Sequence, residues 1–98
     1  MAHKQYTVEE EIVRAGEAAQ VLDSHIFNAA RAHVLDGIDR QMRNVPMSDE
    51  KMHSRLILTL QCWHALESYL DQIKQTGEIA EFQVRQQEEA KKRFRMFG

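Results

Sequence analysis

Ninety-eight residues, 43% hydrophobic and 29% charged, are the size and composition of one folded domain rather than a disordered segment. The longest uncharged run, Leu56 to Leu66, falls well short of the about 18–20 apolar residues that a membrane span needs. One Pro and four Gly exclude a small all-β chain, which would need many more turn residues. The net charge of -2 is unevenly placed: residues 1–24 carry two bases and five acids, residues 25–84 six and eight, and residues 85–98 five and two. An acidic head and a basic tail suit head-to-tail contact between subunits, or a tail that seeks an anionic partner.

The opening MAHKQYTVEEE has no apolar core and runs into acids, so it does not read as a signal peptide. Together with a single cysteine, Cys62, this points to synthesis in a reducing, cytosolic compartment. Thr7-Val8-Glu9-Glu10 spells a capping box, with three glutamates at the positive end of the helix dipole. Val8, Ile12, Ala15, Ala19 and Leu22 then form a narrow stripe, with the small residues Gly16 and Ala18 beside it to admit another helix closely. Asp23-Ser24 supplies a break and a new N-cap. The alternative is a single helix continuing through His25, because Ile26 keeps the stripe; a break near residues 22–25 is the preferred reading.

A second helix follows on Phe27, Ala30, Val34, Ile38 and Met42, to about Asn44. Gly37 lies inside it at a cost of about 1 kcal/mol relative to Ala, which suggests a tight helix crossing. Pro46 stops the helix, and Ser48, followed by Asp49 and Glu50, is expected to cap the next one. So short a link makes residues 24–44 and 48–75 an antiparallel helical hairpin.

The main helix is the most apolar stretch and holds the only Trp. Leu56, Leu60, Trp63, Leu66, Leu70 and Ile73 recur at steps of three and four, and its large apolar side chains span an arc of roughly 200° at about 100° per residue. One neighbouring helix covers a stripe of only about 100°, so cover from two sides is expected. Thr76-Gly77 reads as the end of this helix, with Gly77 in the left-handed C′ position. A poor further helix runs from Glu78 to about Arg95, apolar only at Ile79, Phe82 and Val84 before Phe94, Met96 and Phe97. Such a helix is marginal alone and is expected to project onto another subunit or to order on a partner.

No spacing among His25, His33, His53, His64 and Cys62 matches a helical zinc site. These residues read as boundary positions, with Cys62 a buried small hydrophobe. Glu67, His64 and Asp71 line up as a solvated flank or an ion-pair edge rather than a catalytic pocket. No phosphate loop or nucleophile motif is present, so no enzyme activity, cofactor, metal or small-molecule substrate is expected. The tail Lys91, Lys92, Arg93, Phe94, Arg95, Met96 and Phe97 interleaves bases with aromatics. It reads as a solubilising helix end, a protein contact, or a phosphate and base contact.

VLDSHIFNAARAHVLDGIDRQM, a short acidic link, and RLILTLQCWHALESYLDQIKQTGEIAEFQ together resemble a class of small tailed-phage proteins encoded among head-assembly and DNA-packaging genes. In that class a Leu-x-x-x-x-Phe helix precedes a Leu/Trp-rich helix that ends in Thr-Gly and a small apolar pair. The matching residues are Leu22, Phe27, Leu60, Trp63, Leu66, Leu70, Thr76, Gly77 and Ala80, within about residues 20–84. The resemblance implies a virion or assembly role in a host cytoplasm or particle, and identifies no active residue.

The expectation is an all-α chain of one domain with a basic tail over about residues 85–98. Phe27, Val34, Ile38, Leu56, Leu60, Trp63, Leu66, Leu70 and Ile73 form its core and interface. It acts as a non-enzymatic, homo-oligomeric assembly protein or binds other phage proteins, without a membrane. The alternatives are a packaging or regulatory factor that binds nucleic acid through Lys91, Lys92, Arg93, Phe94, Arg95 and Phe97, and a helical inhibitor or adaptor of a host protein.

Overall fold

The computed structural model describes residues 5–97, Phe97 by its backbone alone. Among these residues the fold is all-α, with three helices: α1 (Val8–Asp23), α2 (His25–Asn44) and α3 (Glu50–Phe97). They pack as two compact units, residues 20–70 and residues 1–19 with 71–98. α3 contributes to both.

Local chemistry sets most helix ends. The Thr7 hydroxyl accepts from the Glu10 N–H at 3.2 Å, while Glu10 Oε1 accepts from the Thr7 N–H at 3.4 Å, completing the capping box. Between α1 and α2 the chain breaks at Ser24, which adopts extended backbone angles and accepts from the Phe27 N–H. Asn28 Nδ2 donates to the Leu22 and Ser24 carbonyls at 2.9 and 2.8 Å, so the break leaves fewer carbonyls unpaired. α2 ends where the Val45 N–H donates to the Gln41 carbonyl, just before Pro46. The cap of α3 falls one residue later than expected: the Asp49 carboxylate, not Ser48, accepts from the Met52 N–H at 3.2 Å. Ser48 is instead used in the turn, where its carbonyl accepts from the Glu50 N–H.

The larger departure is at Gly77. α3 runs unbroken through it for 48 residues, and no described glycine has a positive φ. The helix therefore does not stop at Thr76-Gly77, and residues 78–97 are its continuation rather than a separate helix. A glycine ends a helix by going left-handed, but it also permits the closest approach of a second backbone. Here the second role prevails, as the packing of α1 shows.

In the unit formed by residues 20–70, the hairpin seam carries Phe27, Arg31, Val34, Ile38 and Met42 on α2. On α3 it carries Leu56, Leu60, Trp63, Glu67 and Leu70. All are buried or half-buried, with Ile38 and Leu56 the buried pair. Both runs step by three and four, so each helix offers one stripe to the other. The expected cover of the main helix from two sides is not found in this unit. Leu58 is 59%, Leu66 46% and Tyr69 56% exposed, and Cys62 is exposed rather than buried. One neighbouring helix covers one stripe, and these four residues lie outside it.

In the other unit, Ala15 and Ala18 of α1 and Ala80 of α3 are buried, as is Gly77. A Cβ built at Gly77 would lie 2.0 Å from the Ala15 Cβ and 2.7 Å from the Glu11 carbonyl oxygen. The tight crossing expected at Gly37 is therefore at Gly77. Beyond their chain neighbours and their own helix backbone, Gly37 and Gly16 have no heavy atom within 4 Å of such a Cβ.

Candidate interaction surface

The polar centre of the hairpin is built from four residues on two helices. Phe27 and Trp63 stack with ring centroids 5.9 Å apart and planes 20° apart. One turn beyond each, Arg31 Nε donates to Glu67 Oε1 at 2.6 Å, and the same oxygen accepts from the Trp63 indole N–H. The side chains of Arg31 and Glu67 are 43% and 22% exposed, so the pair sits at the wet edge of the seam. From the sequence, Glu67 with His64 and Asp71 reads as a solvated flank or an ion-pair edge, and Arg31 of α2 is a partner that reading did not name. The available signal was that the steps Phe27, Arg31, Val34 and Trp63, Glu67, Leu70 place opposite charges on the two facing stripes.

Of the residues expected in the core, Leu56 and Ile38 are buried, and Phe27, Val34, Leu60, Trp63 and Leu70 are half-buried. Ile73 is half-buried and belongs to the unit with α1. Leu66 lies off the seam and is largely open. Leu58, Cys62, Leu66 and Tyr69 follow one another at steps of four, four and three, which makes a second, exposed apolar stripe along α3.

Solvent dominates the tail. Every described side chain from Arg85 to Met96 is exposed, with Phe94 and Met96 at 84%. Lys91, Lys92, Arg93 and Arg95 are in that run, whereas the side chain of Phe97, also expected to make contacts, lies outside the described residues. In α1, Glu9, Glu10 and Glu17 are exposed around Val13, itself 60% exposed. Arg14, the one base of α1, stacks over the Tyr6 ring at 3.7 Å.

Among the described residues no group of three His, Cys, Asp or Glu side chains is placed to hold a metal. His53 Nε2 instead lies 3.1 Å from the Pro46 carbonyl, across the hairpin turn. Nor is any helix, among those residues, long and apolar enough to cross a membrane.

What the arrangement offers is surface: an apolar stripe on α3, an acidic face on α1 and a basic, aromatic tail. Comparison of the chain with family models, with curated proteins and with solved structures found no match.

Proposed function

We propose that this chain is a non-enzymatic assembly protein that works by helix packing, associating with copies of itself and with other components of a larger particle. The observation that carries the reading is the second stripe of α3, where Leu58, Leu66 and Tyr69 are 46–59% exposed at helical spacing. Scattered single hydrophobes are normal on a surface, but a contiguous apolar row is characteristic of an interaction site. A thin interior supports the same reading. Among the described residues only Ala15, Ala18, Ile38, Leu56 and Ala80 count as buried hydrophobes, and no side chain is fully enclosed. Helices with so little interior gain stability by burying more apolar area, at about 25 cal/mol per Å². The phage setting rests on the resemblance of residues 20–84 described above.

Light scattering across a concentration series tests the proposal. Association at tens of micromolar, weakened by Leu58→Glu with Leu66→Glu while the helical signal persists, is the expected result. A strict monomer that captures no particle protein sinks it.

A further inference from the structure

We propose that the basic tail of one copy docks on the acidic outer face of α1 of a second copy, so that chains join head to tail. This deepens the assembly reading and rests on it.

The two surfaces match in composition and spacing. Stepping about 100° per residue, Glu9, Glu10 and Glu17 all fall within roughly 60° of Val13. On the tail, the same step puts Lys91 and Arg95 about 60° and 100° to one side of Phe94, and Arg93 about 100° to the other. Glu88 and Glu89 fall behind, more than about 110° away. One surface is thus an exposed valine among carboxylates, and the other an exposed phenylalanine among cations. Pairing them buries both apolar residues and sets opposite charges around them.

The contact has to form between chains. α1 turns Ala15 and Ala18 inward, and Val13 lies about 160° around the helix from Ala15. α3 continues as helix to Phe97, so its own tail cannot fold back around α1 to reach the far side. Each copy then offers one tail and one acidic face. Such a head-to-tail contact builds open chains or rings, of which a reciprocal two-fold pair is the smallest.

Charge exchange tests the contact, with every chain checked by circular dichroism and sized by light scattering at low salt. Glu9→Lys/Glu17→Lys alone, and Lys91→Glu/Arg95→Glu alone, are expected to associate at least about tenfold more weakly than the parent chain. Glu10 is left in place because it closes the capping box. Mixing the two altered chains restores both contacts in alternation, and association returns. Should either altered chain lose its helical signal, the neutral changes Glu9→Gln/Glu17→Gln and Lys91→Gln/Arg95→Gln take its place in the weakening test.

A mixture that stays dissociated overturns the proposal, as do altered chains that associate like the parent. If those chains still lose association through Leu66→Glu, only this contact fails and the assembly reading stands. A parent chain that never associates overturns both. Binding of a DNA or RNA oligonucleotide that depends on Lys91 and Arg95, without rescue on mixing, assigns the tail to nucleic acid and also overturns the contact.

Discussion

Gly77 lies against Ala15 so closely that a methyl group on the glycine would stand 2.0 Å from the Ala15 Cβ. The neighbour is rigid: behind it is the α1 backbone, with the Glu11 carbonyl oxygen 2.7 Å from the same point. Gly77→Ala therefore cannot be absorbed by a side-chain rotation. It gains about 1 kcal/mol of helix propensity, yet overpacking of this kind typically costs about 1–3 kcal/mol. The expected outcome is net loss of α1 protection in amide hydrogen exchange, with α3 still helical through residue 77. Protection of α1 that rises instead would show that the crossing is looser than described.

Gly37 and Gly16 are the controls for that argument. Both are helical with open space where a Cβ would go, so Ala at either site meets no neighbour. Each substitution is expected to raise stability by about 0.5–1 kcal/mol, readable as a higher midpoint in urea with an unchanged slope.

The hairpin seam makes its own prediction. Leu56 is 5% exposed, and truncating it to Ala is expected to cost about 2–5 kcal/mol. Leu66→Ala, at 46% exposure, should cost far less in dilute solution, where the residue has no partner helix. Equal losses at the two positions would contradict the placement of the seam.

Glu67 joins two donors, so its charge and its oxygen can be separated. Glu67→Gln keeps an acceptor for the Trp63 indole and the Arg31 guanidinium and removes only the charge; about 0.5–1 kcal/mol is expected, given how open the pair is. Glu67→Leu leaves the indole N–H without that acceptor, and a loss of about 1–3 kcal/mol is expected. A double-mutant cycle with Arg31→Met measures the coupling between the charges. A coupling near zero would mean that Glu67 serves the indole alone.

Cys62 offers a probe of the proposed assembly. It is exposed on the open stripe of α3, between Leu58 and Leu66. Its reaction with a thiol reagent is expected to be fast at high dilution and to slow as protein concentration rises through the association range. A rate independent of concentration, while light scattering shows association, would place the contact elsewhere.

Helix content, the capping box at Thr7, the break at Ser24 and the hairpin turn at Pro46 were all legible in the sequence. They depend on contacts within a few residues: a hydroxyl three positions from an N–H, a proline without one, apolar residues one turn apart. The facing stripes of α2 and α3 follow from the same periodicity and a short link. Where the apolar arc stops being covered does not. Cys62 and Leu66 are as apolar as their neighbours, and only the position of α2 decides that Leu60 and Trp63 are in the seam while they are not. The same limit governs the glycines. By composition Gly77 after Thr76 is a better helix stop than Gly37, because the difference between a left-handed cap and a helical crossing lies in what arrives from elsewhere in the chain. Ala15, some sixty positions earlier, arrives at Gly77; nothing arrives at Gly37. Local chemistry thus determined the helices and most of their ends, while the tertiary structure alone decided which glycine is a contact and which apolar face stays exposed.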